Sequence, residues 1–237
     1  KLIVTSATYR QSSRMASGLR ERDPANILLA RGPRERLSSH ATRDQALAVS
    51  GLLVEKIGGP SVSPYQPDRF WELLSNMKYK QSSGEDLYRR SLYTIWKRTI
   101  PPPSMAVLDA ADRESCIVST KRTNTPLQAL VVLNDPQFIE ASRALADDAL
   151  FLGGSNDDQR IDYIANRLLS RPLVEAEKPV VKKSLADLTT WYKEHLEAAQ
   201  AVITVGQSQP RHEDAVTLAR WTMLTNQLMN LDEVLSK

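Results

Sequence analysis

The stretch TNTPLQALVVLNDP, residues 123–136, contains two helix starts in succession. Thr125 is followed by proline and, three positions later, by Gln128, which is the pattern of a capping box with proline at the first helical position. Asp135 and the proline after it repeat the same arrangement. We therefore predict a short helix to about residue 133 and a second one to about residue 152, where two glycines end it.

Outward from this stretch, the C-terminal half keeps helical periodicity. Apolar residues recur at helical spacing in three further segments, and turn residues separate these segments. We predict helices over about 159–170, 179–202 and 213–235. Trp191 and Trp221 are predicted to be core residues. Several helices joined by short loops indicate a bundle.

The N-terminal half has a different pattern. A helix is predicted over about 33–54, and residues 60–86 are rich in Pro, Ser and Asn, as in a long surface loop. Residues 92–96 form a β-prone run that favours a short strand or an extended segment. The predicted fold is mainly α, with an irregular Pro-rich half, at most a short strand pair, and a helical-bundle-like half. We expect one domain over 1–237, with a helix and long loops in 1–122 and the bundle in 123–237.

Composition narrows the classes of function. The chain has 237 residues, a net charge of +3 and a pI near 9.0, too weakly basic to indicate nucleic-acid binding. One cysteine excludes an internal disulfide, and no c-type haem motif is present, so we expect no cofactor in this chain. The three histidines lack metal-ligand spacing, and no apolar run is long enough for a membrane span. The apolar opening KLIV, without Met, suggests a piece of a longer polypeptide.

Cys116 is the sharpest catalytic candidate. Arg113 and Arg122 lie near it in sequence and can lower a thiol pKa, which would make the thiolate nucleophilic. The alternative is that Cys116, which is followed by Ile117 and Val118, packs inside as a small apolar residue.

A carboxylate cluster is the second candidate. Asp109, Asp112 and Glu114 can serve acid–base chemistry or bind a divalent cation. The alternative is that these loop acids pair with Arg113 and Arg122, and we favour it.

Ligand binding has three candidate places. Asn124 precedes a helix N-terminus that can hold an anion, although Thr125 and Gln128 are expected to satisfy those amides. Tyr93 and Trp96 lie in a basic run that can stack on a sugar or a base, or dock against a neighbouring domain. The third place is formed by Arg43 and Asp44 on the predicted helix.

Six segments together resemble one family: SATYRQSS at 6–13, RRSLYTIWKR at 89–98, PPPSM at 101–105, DRESC at 112–116, TNTPLQALVVLNDP at 123–136 and NLDEVL at 230–235. The family is a C-terminal domain of unknown function from planctomycete-type proteins, which follows a second uncharacterised domain and often a cytochrome-c-like domain. The resemblance implies a large exported parent protein located in the periplasm or cell envelope, with c-type haem in another domain. The resemblance implies no particular activity. In RGPRERLSSHATRD, 31–44, Ser38 and His40 replace acidic positions of the family, while Arg43-Asp44 is retained.

Two hypotheses remain. The first is a structural module that packs on the upstream domain or on an envelope partner, with Cys116 buried and without a deep polar pocket. The second is an enzyme domain whose active site lies between the 104–124 loop and the Arg43-Asp44 helix, acting on a saccharide-like substrate or in redox chemistry. We favour the first.

Overall fold

The computed structural model describes residues 1–15, 17–73, 75–119, 121–212 and 214–236, and these residues are mainly helical. Two short 3₁₀ turns form, Gly84–Tyr88 at the end of the predicted loop and Ser91–Tyr93 at the start of the run that favoured a strand or extended segment. Apart from isolated bridges, no strand forms within the described ranges. The α-helices are α1 Leu2–Thr5, α2 Leu19–Arg22, α3 Ser39–Val49, α4 Pro103–Val107, α5 Pro126–Asn134, α6 Pro136–Leu152, α7 Asp157–Leu169, α8 Lys178–Glu194, α9 Leu196–Ile203, α10 Ala215–Met229 and α11 Asp232–Leu235. The predicted fold class is therefore confirmed.

The helix starts at 125 and 135 form as the sequence predicts. The Thr125 hydroxyl accepts a hydrogen bond from the Gln128 amide (3.4 Å), and the Asp135 carboxylate accepts one from the Gln137 amide (3.0 Å). The capping box is only half formed, because the Gln128 side chain turns to Asp109 rather than to the cap. The Gln128 side chain therefore links α5 to the irregular half of the chain.

Helices α6 and α10 are the centre of the bundle, and α5, α7, α8 and α9 pack around them. Trp221 and Leu218 on α10 meet Leu145 on α6 and Ile164 on α7 in one apolar core. Ala46 of α3 belongs to the same core, so both halves of the sequence contribute to it. Burying large side chains here supplies the main driving force for folding. No described helix has the length and apolarity needed to cross a membrane.

Three helix predictions need correction. The helix predicted over 179–202 breaks at His195, whose ring donates to the Trp191 carbonyl at 2.8 Å and stacks on the Trp191 ring. Trp191 is 46% exposed, so its assignment to the core was wrong, whereas Trp221 is fully buried. The helix predicted over 33–54 is shorter, since it begins only after the Ser38 cap. The last helix ends at Met229, and α11 forms a separate turn.

Candidate functional site

An open groove runs along the outer face of α3, and several of the sequence-predicted residues line it. Its volume is about 750 Å³, and it lies between α3 and the segments 53–57 and 90–93. We call it the α3 groove. Asp44 and Tyr93 line it, together with His40, Lys56, Arg90 and Leu92. Asp109, Arg113, Cys116 and Asn124 are not among its lining residues, so the groove does not join the two parts of the enzyme hypothesis.

Arg43 lies beneath this groove, and its side chain is turned inward. Its Nε donates to Gln137 Oε1 (2.6 Å), Nη1 to the Arg89 carbonyl (2.8 Å), and Nη2 to the Leu87 carbonyl (2.8 Å). Burial lowers the pKa of Arg43 to about 10, which still leaves the guanidinium protonated at neutral pH. Arg43 is thus a buried clamp between α3, α6 and the 87–91 segment, with few donors left for a ligand.

Asp44 lies on the open side of the same helix turn. Its carboxylate accepts from the Ser91 amide at 2.6 Å and from Arg90 Nε at 3.3 Å. Arg90 is mostly exposed, and within the described ranges its two terminal nitrogens make no hydrogen bond or ion pair to the protein. Asp44 therefore positions a free guanidinium fork at the edge of the groove.

Tyr93 closes the groove against the buried Arg89. The Arg89 guanidinium lies 3.8 Å from the centre of the Tyr93 ring and donates to the carbonyls of Lys56 (3.0 Å) and Pro60 (3.2 Å). The Tyr93 hydroxyl accepts from the Gly58 amide at 2.8 Å. One face of the Tyr93 ring is therefore occupied by protein, and the loop around residue 58 is fixed over the 3₁₀ turn.

Trp96 and Arg113 meet next to His40, in the first turn of α3. The Arg113 guanidinium lies 4.6 Å from the centre of the Trp96 ring, and His40 lies parallel to that ring at 6.5 Å. The indole nitrogen of Trp96 donates to the Asp112 carbonyl at 3.0 Å. Burial, and then the charge of Arg113, lower the pKa of His40. Here Arg113 has an aromatic partner rather than the carboxylate that the sequence favoured.

Asp109 fixes the start of α5. Its Oδ2 accepts from both the amide and the hydroxyl of Thr123 at 2.6 Å, and from Gln128 Nε2 at 3.0 Å. Burial raises the pKa of Asp109, but the hydrogen bonds from Thr123 and Gln128 together outweigh it, and the pKa is lowered. No described contact pairs Asp109 with Arg113 or Arg122, so the favoured pairing is wrong for this acid. Its hydrogen bonds are structural.

Replacing Asp109 by asparagine is expected to destabilise the protein at pH 7 and to have a smaller effect in acid. A carboxylate with a lowered pKa contributes stability above its unfolded pKa, near 3.9, and that contribution is lost as pH falls through the lower folded pKa. Urea unfolding of the wild type and of Asp109→Asn at a series of pH values measures the difference. A difference that stays constant down to pH values below about 3 would contradict the charged role.

The segment carrying Cys116, residues 112–119, is exposed to solvent. Cys116 is exposed, and so are Glu114, Ile117 and Val118, so the expectation of a buried cysteine was wrong. The apolar pair after Cys116 suggested packing, but residues 112–119 are all exposed, and so are residues 121 and 122. Glu114 makes a turn contact through its amide to Asp112 at 3.1 Å.

The two remaining candidates lie where the segment returns. Arg122 pairs with Glu35, and Asn124 is exposed before the Thr125 cap. Arg122 therefore connects the end of the exposed segment to the N-terminal region. No group of three or more His, Cys, Asp or Glu side chains within the described residues is arranged to hold a metal ion.

A row of buried polar residues on α6 was not predicted from the sequence. Glu140 Oε1 accepts from the Tyr88 hydroxyl (2.8 Å) and from the amides of Gln207 (2.7 Å) and Ser208 (2.6 Å). Arg143, one turn further along, donates to the Ser208 carbonyl at 2.6 Å. Burial, and then Glu140, raise the pKa of Tyr88 to about 12. The sequence signal that could have predicted this row is the presence of charged residues at helical spacing within the apolar pattern of α6.

The same row continues at the end of α6. Asp147 is buried and accepts from the amides of Arg211 (2.9 Å) and His212 (3.1 Å). Together with Glu140 and Arg143 it holds the loop that leads into α10. The row therefore fixes a connection in the bundle rather than an open site.

Hydrogen bonds within the segment hold the 23–31 loop. Buried Asp23 accepts from the amides of Ile27 (2.7 Å) and Leu28 (2.8 Å). Arg31 closes the loop by donating to the carbonyls of Asp23 (2.9 Å) and Pro24 (2.8 Å). This polar frame holds the loop, and none of the residues 23–31 belongs to the apolar core.

The frame presents three consecutive apolar side chains to solvent. Ile27 is 81% exposed, Leu28 75% and Leu29 55%. Leu29 also has a left-handed backbone with φ of 51°, which costs a non-glycine residue about 1–2 kcal/mol. An ordered, strained loop that displays apolar residues is typical of an interaction surface. Leu2, Ile3 and Val4 of α1 are exposed as well.

Comparison with curated proteins and with solved structures gives no significant match. The profile of one protein family, PSD1, described as a protein of unknown function (DUF1553), matches residues 1–185. That match covers α1 to α7, the α3 groove and the whole 104–124 loop, and it extends into α8. The chain therefore belongs to the PSD1 family of proteins of unknown function (DUF1553).

Proposed function

We propose that this chain is an interaction module that packs on an upstream domain of the same polypeptide through the 23–31 loop. The observation that carries the proposal is the display of Ile27, Leu28 and Leu29 on a loop whose backbone is held by Asp23 and Arg31. When a partner covers large apolar side chains in an ordered patch, their removal from water favours binding.

The arrangement of the catalytic candidates supports a module over an enzyme. Asp109 Oδ2 accepts hydrogen bonds from Thr123 and Gln128, Arg113 lies on Trp96, and Cys116 lies on an exposed segment. An acid, a base and a nucleophile must share one pocket within hydrogen-bond reach of a substrate. These side chains serve separate contacts instead.

The wider setting of the module rests on the family resemblance alone. We propose an exported, multidomain parent of planctomycete type, located in the periplasm or cell envelope, with a c-type cytochrome module as neighbour. The haem belongs to another domain of that parent. An envelope component is a further candidate partner, and nucleic acid is not.

Cysteine accessibility tests the proposal in the intact parent protein. Ala30 lies exposed within the loop, so Ala30→Cys reports on coverage with little change in shape. We expect its alkylation rate by iodoacetamide, read by mass spectrometry of the peptide, to be about tenfold lower in the parent than in this chain alone. Replacing both Ile27 and Leu28 by serine should restore the rate by weakening the docking.

Matched variants separate docking from general effects. Ala201→Cys on α9 reports a second exposed position, and we expect the same rate in both proteins. Ile57→Ser with Leu92→Ser removes two exposed apolar side chains elsewhere and should leave the rate at position 30 unchanged. Equal alkylation of Ala30→Cys in the parent and in the isolated chain would rule out the proposed packing.

A further inference from the structure

Four arginines around the 23–31 loop lack ion-pair partners. Arg10, Arg14, Arg20 and Arg22 are exposed, and within the described ranges none lies in ion-pair distance of a carboxylate. We call these four residues the basic rim.

The nearby acids do not balance the rim. Asp23 is buried and accepts from two loop amides, and Glu35 pairs with Arg122. Only Glu21 remains as an exposed acid in residues 10–36 outside these contacts. Glu177, whose pKa is lowered first by Arg171 and also by Arg14, already pairs with Arg171. Residues 10–36 therefore expose more positive than negative charge.

The chain path places the rim on both sides of the loop. Helix α2, Leu19–Arg22, ends directly before the loop and carries two of the four arginines. At the far end, the Gly32 amide donates to the Ser12 carbonyl at 3.0 Å, which brings the other two arginines close to the end of the loop. A side chain at position 32 would collide with the Gln11 carbonyl, so glycine is required for this approach.

We infer that the partner surface is an apolar depression with a rim of Asp and Glu side chains. The inference rests on the proposed function, since it describes the partner that the proposal names. Ile27, Leu28 and Leu29 enter the depression, and the basic rim meets the carboxylates around it. An apolar centre with a charged periphery is the usual composition of a protein interface, and complementary charge favours association of the correct partner.

The type of cation favours a protein partner over a lipid surface. All four rim residues are arginines, whose planar fork pairs two hydrogen bonds with one carboxylate. Arginine is enriched in protein interfaces, while lysine is depleted there. The apolar residues also lie on a loop with fixed backbone, which suits a depression of defined shape.

Salt and charge reversal test the inference in the intact parent with the Ala30→Cys reporter. Raising NaCl from about 50 mM to about 500 mM is expected to increase the alkylation rate in the parent about tenfold, because screening weakens the rim contacts. Arg20→Glu with Arg22→Glu should give about the same increase at low salt and should abolish most of the salt dependence. Lys183→Glu with Lys193→Glu on α8 makes the same change of charge elsewhere and should have no effect.

The outcomes separate this inference from the proposed function. A reporter that is slow in the parent and insensitive to salt and to charge reversal, yet released by Ile27→Ser with Leu28→Ser, would leave the packing intact and overturn the acidic rim. A reporter that reacts equally fast in the parent and in the isolated chain would overturn both. If vesicles containing about 30% phosphatidylglycerol bind the isolated chain and protect position 30, the partner is an anionic membrane, and the inference is wrong.

Discussion

We expect that replacing Arg43 by methionine lowers the free energy of unfolding by about 3 kcal/mol, because the change leaves several buried acceptors unpaired. Arg43 is 2% exposed and donates to the Leu87 and Arg89 carbonyls and to Gln137 Oε1. Methionine fills a similar volume but donates no hydrogen bond. Relief from burying a charge offsets part of the loss. Chemical denaturation monitored by circular dichroism measures the change.

Arg90→Met is the matched control, since Arg90 comes from the same region and contacts the neighbouring Asp44. Its side chain is 60% exposed, and its single ion pair is expected to contribute about 0.5 kcal/mol or less. A loss for Arg43→Met as small as that of Arg90→Met would show that the buried hydrogen bonds are not what holds α3 to the 87–91 segment.

The contrast between Arg43 and Asp44 shows where sequence reasoning reached its limit. The sequence named both as ligand candidates, because adjacent charged residues on a helix look alike in a pattern. Successive helical residues point about 100° apart, so one side chain enters the core while the other lines the groove. Which one turns inward depends on where the 87–91 segment places its carbonyls, and that segment is irregular.

Local signals predicted the C-terminal half well. Caps at Thr125 and Asp135 and the apolar period of α6 and α10 are encoded within a few neighbouring residues. The long-range partners of Asp109 and of Glu140 are not encoded in that way. Their donors lie 14 to 68 residues away in sequence, so spacing alone gives no access to them. The prediction for Cys116 failed for a different reason. Apolar neighbours in sequence predict packing only if the segment reaches the core.

Replacing Gly206 by alanine is expected to lower the free energy of unfolding by about 3 kcal/mol, through backbone strain and loss of hydrogen bonds to Glu140. Gly206 has φ of 89°, which is unfavourable for any L side chain. A Cβ at this position would overlap the Glu140 carboxylate. That carboxylate must then move away from Tyr88 and from the Gln207 and Ser208 amides, which it now accepts from. Urea denaturation measures the loss.

Gly58→Ala separates the two causes. Gly58 has φ of 80°, and a Cβ there would meet no atom within 4 Å, so this change tests the backbone strain alone, about 1 kcal/mol. The excess cost at Gly206 is then due to Glu140, and it should shrink when Gly206→Ala is made in a Glu140→Ala background. If Gly206→Ala costs no more than Gly58→Ala, the Glu140 carboxylate can rearrange freely, and the polar row of α6 does not fix the loop that leads into α10.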